Sequence, residues 1–455
     1  MVSNCLAITV DLSLQTCADN RTTREPRDVS KIQESNQPDR IFSIKGDSLP
    51  MNPKALVVCL AAAFSTAALA QSPSADTDAN TDQSAHAANR GATVAYVYVS
   101  SNPRNSSTNE IVAYAAARNG KLTPLFGSPF EEDVTSMAVT GSYLFAAARQ
   151  APEIDSYRIE PDGSLHFSAA SDYSRYNPDD AGFAGPVFLD HTGATLYVME
   201  FEAYNDNNIY SSFAIDKSDG SLKYLGFANE GAPSFAAAYL EPSFIGNNVY
   251  AYTATNSDCM YFGIYGLKRE SNGLLRNINL GPSAEMAPTP PSQDRAYCPQ
   301  QAAADPTNHV AITLQPGNPP GAIDGLPQIA SFTANESGKL TSTNASSDMP
   351  KTRVTFANDL KMSPSGKLLA VGGYGGLQVF HFNGAKPVTH YTGLLTKNTI
   401  TQMFWDNDNH LYAISQAAGK LFVFTITPEG YSEAPGSPHA IGNPQNIIVR
   451  SLQLP

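Results

Sequence analysis

Residues Glu110–Leu122 read EIVAYAAARNGKL, a run of small, β-branched and aromatic residues that ends in Asn-Gly, a basic residue and Leu. Asn-Gly supplies the positive φ that a tight hairpin requires, and such a run suits a strand packed on both faces. Six further copies follow along the chain: EIDSYRIEPDGSL, YSSFAIDKSDGSL, FGIYGLKRESNGLL, QIASFTANESGKL, LQVFHFNGAKPV and LFVFTITPEGYS. The fold is therefore decided by a hairpin unit that repeats along the chain.

The turn glycines of these copies are 43 to 65 residues apart: Gly120, Gly163, Gly220, Gly273, Gly338, Gly384 and Gly430. Another strand precedes each hairpin, such as VAYVYVS at Val94–Ser100, and several units begin with a further strand and turn, as in LKMSPSGKLLAV at Leu360–Val371. Four strands per unit make a propeller blade. The sequence predicts an all-β, seven-bladed propeller of four-stranded antiparallel blades over residues 92–455, with about 52 residues per blade.

The two ends of this region complete each other. PQNIIVRS at Pro444–Ser451 resembles the first strand of a unit that lacks its second strand, whereas VAYVYVS resembles a second strand that lacks its first. We expect the N- and C-terminal strands to pair within one blade, because this pairing closes the ring and leaves no free edge between its ends.

The segment before the propeller indicates export. In residues 51–70, Lys54 precedes an uncharged apolar run, and Ala68-Leu69-Ala70 supplies the small residues that signal peptidase requires. The run of about 16 residues is shorter than the roughly 20 that span a bilayer, so we expect cleavage after Ala70 and no membrane span. Residues 71–91 then form a flexible tether. Residues 1–50 are either an extension upstream of the true start at Met51 or a disordered leader.

The net charge of the chain argues against one class of partner. Acidic residues outnumber basic ones by 42 to 29, which gives a net charge of −13 and disfavours binding to nucleic acid.

Export leaves Cys259 and Cys298 as one pair, which we expect to form a disulfide between insertions of neighbouring blades; two buried thiols are the alternative. No cysteine or histidine spacing fits zinc, so no metal or cofactor is predicted. The DNDNH run at Asp406–His410 fits a hairpin turn better than a calcium loop. A monomer is expected.

Several stretches give the chain a family resemblance. SPSGKLLAV, TGATLYVME, the aromatic-to-Gly-x-Leu hairpins, LTPLFGSPF and SEAPGSPH resemble the seven-bladed lactonase-like propellers, the YVTN-repeat proteins that include 6-phosphogluconolactonase and carboxymuconate cyclase relatives. The resemblance spans residues 92–455 and implies a fold rather than an activity. Enzymes of this family place a Pro-His pair before a first strand, and the equivalent stretches here have none: AGPVFLD, CPQQAAAD, ANDLKMS, ITQMFWD and PQNIIVR. No catalytic residue is carried over.

If the blades are in register, the residues before each first strand face the central channel. These are Gln301, Asp359, Gln402 and Asn446, together with Ser136. They form a ring rich in amides, which can hydrogen-bond a sugar, a peptide or ordered water but cannot shuttle protons. His191, His309 and His410 fall in polar turns at the blade rim or underside, with no partner positioned for general base catalysis.

Two functions follow from these observations. The first is a non-catalytic periplasmic or secreted module that binds a small polar molecule, a glycan or a protein through its channel and its long, Pro-rich loops. The second, which the resemblance implies, is a lactone hydrolase or related cyclase at the channel mouth that uses Asp359 with a loop arginine, Arg295 or Arg353. The sequence identifies neither the ligand nor the final compartment.

Overall fold

A computed structural model describes residues 92–103, 106–173, 184–202, 207–229, 241–257, 261–278, 296–318, 322–323 and 325–452. The predicted upstream segment, signal peptide and tether, residues 1–91, lie outside the described residues.

Within the described residues, the strands form seven antiparallel sheets, each containing one copy of the repeat. Blade 1 contains β1 (Thr93–Asn102), β2 (Glu110–Ala117) and β3 (Leu122–Pro124). Blade 2 contains β4 (Val134–Thr140), β5 (Tyr143–Ala148), β6 (Glu153–Ile159) and β7 (Leu165–Asp172). Blade 3 contains β8 (Ala184–Leu189), β9 (Thr195–Glu202), β10 (Asn207–Ile215) and β11 (Leu222–Asn229). Blade 4 contains β12 (Ser243–Phe244), β13 (Tyr250–Ser257), β14 (Tyr261–Arg269) and β15 (Leu275–Ile278).

The remaining blades include two additional short strands. Blade 5 contains β16 (Ala296–Ala304), β17 (His309–Asn318), β18 (Ala322–Ile323), β19 (Gln328–Ala334) and β20 (Leu340–Thr341). A 3₁₀ turn at Ser346–Asp348 precedes blade 6, which contains β21 (Phe356–Met362), β22 (Leu368–Tyr374), β23 (Gly376–His381) and β24 (Thr389–Thr396). Blade 7 contains β25 (Gln402–Trp405), β26 (His410–Ser415), β27 (Lys420–Thr427), β28 (Gly430–Glu433) and β29 (His439–Ala440). The chain ends in β30 (Asn443–Ser451).

The first strand of each blade lies nearest the axis. Contacts run in order around the ring between the first strands β30, β4 and β8, and again between β12, β16, β21, β25 and β30. The predicted seven-bladed, all-β propeller is confirmed. No described helix is long and apolar enough to cross a membrane.

The ring closes in blade 1, as the sequence predicts. β30 pairs antiparallel with β1 and becomes its inner neighbour, with Asn446 opposite Ser100 and Val449 opposite Val97. One blade therefore takes its first strand from the C-terminus and its other three strands from the N-terminal end. The two ends of the chain's propeller region thus share one sheet, and no break is left between the first and last blades.

Second strands are buried on both faces, which explains their uninterrupted apolar character. Every residue of β26 is buried, and in β1 only the two terminal residues are partly exposed. Such burial requires a neighbouring blade on either side, because a lone sheet would expose one face.

Except in blade 7, the turn of each repeat hairpin packs against the second strand of the preceding blade. The Tyr98 hydroxyl donates a hydrogen bond to the Gly163 carbonyl oxygen at 2.7 Å, and Tyr197 and Tyr252 donate in the same way to Gly273 and Gly338, each at 2.8 Å. The repeat glycine and the tyrosine-rich strand are thus two halves of one contact between blades.

Gly163 shows why this contact requires glycine. Its φ is +88°, and an added Cβ would lie 2.7 Å from the Tyr96 ring and 2.7 Å from the Leu125 side chain. Gly430 differs from the other repeat glycines, since it begins β28 without a positive φ.

Replacement of Gly163 by alanine tests whether the contact or only the backbone angle demands glycine. Gly141 is the matched control, because it has a φ of +53° but open space where a Cβ would lie. Both variants incur a left-handed backbone cost of roughly 1–2 kcal/mol. Gly163→Ala should lose about 1–3 kcal/mol more, through overpacking. Urea unfolding measures the difference, and equal losses would contradict the packing argument.

Candidate functional site

Equivalent positions on the seven inner segments surround the axis and line a cavity of about 800 Å³. We call these positions the channel ring; its members are Asn446, Ser136, Pro186, Glu241, Gln301, Asp359 and Gln402. Asp359 and Glu241 lie at the same distance along the chain from the turn that follows, as the pairing of Met362 with Leu369 and of Phe244 with Ala251 shows.

The structure places all the residues that the sequence assigns to the channel at its wall, namely Gln301, Asp359, Gln402, Asn446 and Ser136. Their assignment as ligand-binding residues stays a prediction. Two members of the ring, Pro186 and Glu241, are not predicted from the sequence.

Most ring side chains bond to the next blade. Asn446 Oδ1 accepts from the Met137 N–H at 3.0 Å, and Ser136 Oγ accepts from the Val187 N–H at 3.0 Å. Gln402 Oε1 accepts from the Ile447 N–H at 2.7 Å. In each case the donor follows the ring residue of the neighbouring blade, so these bonds join the inner strands into a belt.

Two further ring members join blades 5, 6 and 7. Asp359 Oδ2 accepts from the Met403 N–H at 2.6 Å, and Gln301 Nε2 donates to the Asn358 carbonyl oxygen at 2.8 Å. The amide and carboxylate groups that predict a ligand-binding ring thus also satisfy inward-facing backbone groups, which would be costly to leave unpaired.

The belt lacks this bond between blades 3 and 4. Pro186 has no side-chain acceptor, and the residue that would donate to it, Pro242, has no N–H. The seam that lacks the side-chain acceptor therefore also lacks the backbone donor. The proline at the ring position thus leaves no N–H unpaired there.

A charged cluster occupies one side of the cavity. Lys361 Nζ lies 2.9 Å from Glu241 Oε2 and 3.9 Å from Asp359 Oδ1. Lys361 shares a face of β21 with Asp359 because side chains two residues apart on a strand point the same way. This two-residue spacing was the available signal for Lys361. Glu241 was hidden because β12, the strand it precedes, has only two residues.

Burial and charge oppose each other in this cluster. Burial raises the pKa of Asp359 to about 6, although Lys361 and the bonded backbone N–H groups lower it. Burial alone would lower the pKa of Lys361, but the carboxylates of Glu241 and Asp359 raise it above its ordinary value. The ammonium group therefore stays charged across the physiological range.

Of the two candidate arginines, only Arg353 lies among the described residues, and it does not join Asp359 in the cavity wall. Arg295 lies outside the described residues. Arg353 is exposed, is not among the described residues that line the cavity, and uses its backbone N–H to bond Gln378 Oε1 at 2.9 Å. The cation beside Asp359 is Lys361, which is not among the residues predicted from the sequence.

Two of the histidines that the sequence places in polar turns, His309 and His410, lie beside a carboxylate. His410 is fully buried; its Nδ1 lies 2.7 Å from Asp406 Oδ2 and its Nε2 lies 3.1 Å from the Arg118 carbonyl oxygen of blade 1. An Asp-to-His spacing of four residues was the missed signal, and Asp305 and His309 repeat it. Both ring nitrogens of His410 therefore have hydrogen-bond partners. The Asp406–His410 pair stabilises the turn between β25 and β26 and the contact between blades 7 and 1. His191, by contrast, lines the cavity.

Two other predicted features are a disulfide, which falls partly outside the described residues, and the DNDNH turn, which touches the cavity wall only at Asn407. Cys298 is fully buried and disulfide-bonded, and Cys259, its predicted partner, lies outside the described residues. The DNDNH segment forms the turn between β25 and β26, where the carboxylate of Asp406 accepts hydrogen bonds from the protein. The described part of the chain contains no group of three or more His, Cys, Asp or Glu side chains arranged to hold a metal ion.

Replacement of Gln402 by alanine tests the belt. The change leaves the buried Ile447 N–H without its acceptor, which should lower the free energy of unfolding by about 1–3 kcal/mol. Gln416→Ala is the control, because Gln416 is exposed and its side chain bonds only the half-buried side chain of Gln445, and it should change stability by less than about 0.5 kcal/mol. Chemical denaturation compares the two. A loss no larger than that of the control would show that the belt contributes nothing.

Comparisons with known proteins support the fold. No family model and no curated protein matches the chain. Among solved structures, a periplasmic gluconolactonase of Pseudomonas aeruginosa is 14% identical, with a TM-score of 0.55 over 79% of this chain and 100% of its own. A putative 6-phosphogluconolactonase from Bacteroides fragilis is 11% identical, with a TM-score of 0.55 over 79% and 98% of the two chains. A Lactobacillus plantarum protein is 12% identical, with a TM-score of 0.55 over 79% and 100%. The resemblance to lactonase-like, seven-bladed propellers is thereby confirmed at the level of the fold.

Proposed function

We propose that this protein is an exported propeller that binds a small polar molecule in its central channel without converting it chemically. The observation that carries this proposal is the Glu241–Lys361–Asp359 cluster in the wall of a cavity of about 800 Å³. Cavities of about 300–1,000 Å³ with a few convergent polar groups are typical small-molecule sites. We also propose that the protein is a monomer. Its longer loops form a second binding surface, for a glycan or a protein.

The hydrogen bonds of Asp359 favour binding over catalysis. Its Oδ1 accepts from the Leu360 N–H at 2.9 Å and its Oδ2 from the Met403 N–H at 2.6 Å. A general base must present a free lone pair to the proton it removes, within hydrogen-bond reach. Here the backbone occupies one of the two lone pairs on each oxygen, which fixes the orientation of the carboxylate and suits a fixed charge better than a proton carrier.

Lactone hydrolysis at the channel mouth is the second candidate, and one observation favours it. Burial raises the pKa of Asp359 to about 6, within the range useful for acid–base chemistry near neutral pH. The solved structures described as gluconolactonases share the fold, which by itself transfers no activity.

A panel of sugar and simple lactones separates these two functions. We expect the purified chain to hydrolyse none of them above the buffer rate. Hydrolysis that is abolished by Asp359→Asn, but retained in Asp219→Asn, would establish the enzyme instead. Asp219 lies in an exposed turn of blade 3, and circular dichroism checks that both variants remain folded.

Binding itself is tested on protein purified from its natural organism. Native mass spectrometry should show a bound small molecule that is released on unfolding, and the channel should hold density for it. A chain that carries no such mass, and binds nothing from extracts of small metabolites, would contradict the proposed function.

Export is proposed from residues 51–70 and has its own test. N-terminal sequencing of natively expressed protein should begin at Gln71, after Ala70. A mature chain that still begins at residue 1 would contradict both the signal peptide and the start at Met51.

A further inference from the structure

The cavity has two levels that differ in chemistry. The channel ring forms the first level. The positions two residues further along each inner strand form the second level, whose members are Ala138, Phe188, Ser243, Ala303, Lys361, Phe404 and Ile448. Lys361 is therefore a single ammonium group set among mostly apolar side chains and next to the polar ring. A ligand there meets a charged point and an apolar wall at once.

The cluster retains hydrogen-bonding capacity. A lysine ammonium has three N–H donors, and Lys361 uses one on Glu241 Oε2 at 2.9 Å. Asp359 Oδ1, at 3.9 Å, is beyond hydrogen-bond distance. Glu241 Oε1 has no hydrogen bond to any described residue, and the Glu241 side chain is 42% exposed. At least one strong donor and one strong acceptor therefore face the cavity side by side.

The charge of the cluster selects against anions. At pH 7, two carboxylates stand beside one ammonium group, since Asp359 with a pKa of about 6 is mostly ionised. The whole chain carries a net charge of −13, so its long-range field has the same sign. A phosphate or carboxylate on the ligand would gain Lys361 but meet Glu241 and Asp359. A protonated amine is attracted by the carboxylates, but it has no lone pair with which to accept a hydrogen bond from Lys361, so it would leave that ammonium group unsatisfied and face a like charge.

A hydroxyl group fits these constraints because it both donates and accepts hydrogen bonds. One hydroxyl can donate to Glu241 Oε1 while a neighbouring one accepts from Lys361 Nζ. The C–H faces of a polyol then lie toward the half-buried Phe404 ring. The volume of about 800 Å³ admits a monosaccharide with water.

We infer that the ligand is an uncharged polyol of monosaccharide size, held through two adjacent hydroxyl groups by Glu241 and Lys361. This inference rests on the proposed binding function and adds the class of ligand. A sugar phosphate or a sugar acid would instead require a channel with a net positive charge.

Isothermal titration calorimetry with defined probes tests the inference. The probes are D-glucose, D-galactose and myo-inositol as uncharged polyols, D-gluconate and glucose 6-phosphate as anions, and D-glucosamine as a cation. We expect at least one uncharged polyol to bind, and the anion and cation of matching stereochemistry to bind at least tenfold more weakly. An anion or the amine that binds as well as the uncharged polyols, or a panel in which no uncharged polyol binds, would overturn the inference.

Variants assign the binding to the cluster. Lys361→Met and Glu241→Gln should each weaken polyol binding by about tenfold or more, the usual effect of losing a charged hydrogen bond. Lys361→Arg keeps the charge and the donors and should bind better than Lys361→Met, which separates a lost contact from a damaged fold. Lys367→Met, at an exposed turn of the same blade, is the matched control and should bind like the unaltered protein. Unchanged affinity in Lys361→Met and Glu241→Gln would place the polyol elsewhere.

The two proposals fail in different ways. A native small molecule that lacks adjacent hydroxyl groups would overturn the polyol inference and leave channel binding intact. A channel that is empty after native purification, together with no binding by any probe, would overturn both.

Discussion

The contact between a repeat hairpin and the second strand of the preceding blade is the interaction on which the molecule depends. A turn glycine brings its carbonyl against a tyrosine hydroxyl, as Gly163 does with Tyr98, and leaves no room for a side chain beside Tyr96. Because neighbouring blades each supply one half of such a contact, no blade can bury both of its faces alone. The pairing of β30 with β1 brings the last blade against the first, and there His410 takes the place of the tyrosine, with its Nε2 3.1 Å from the Arg118 carbonyl oxygen near Gly120.

The belt of inner hydrogen bonds follows from that arrangement. Once the blades are in register, seven equivalent positions converge on the axis, and at four of the seams between described strands a backbone N–H of one inner strand bonds to the ring residue of the preceding blade. Polar residues such as Gln402 and Asn446 satisfy those donors. A channel wall built in this way has few groups left over for a ligand. This makes the Glu241–Lys361–Asp359 cluster stand out, since Lys361 and Glu241 retain a donor and an acceptor that the belt does not use.

How far the sequence could predict this structure depends on how local each signal is. Turn glycines and the strands around them are local, so the blades, their order and the closing strand could be read from the chain. Gln402 and Asp359 could be placed in the channel because they stand at a fixed distance before a recognisable turn. Glu241 could not, since its strand is reduced to two residues and the stretch before it has no repeat character. The bond of His410 to the Arg118 carbonyl oxygen could not either, because it joins residues 292 positions apart across the closing seam.

The seam between blades 3 and 4 has a further consequence. There the prolines Pro186 and Pro242 replace the inner hydrogen bond, and an ion pair with a Nε–Oδ2 distance of 2.6 Å joins Arg269 to the fully buried carboxylate of Asp190. A blade copied from elsewhere in the chain would bring an unmet N–H to Pro186 and would leave Asp190 without its cation. The repeats are therefore not interchangeable modules. The contacts at this seam fit only blades 3 and 4. They therefore specify which blades are neighbours, in addition to the order of the repeats along the chain.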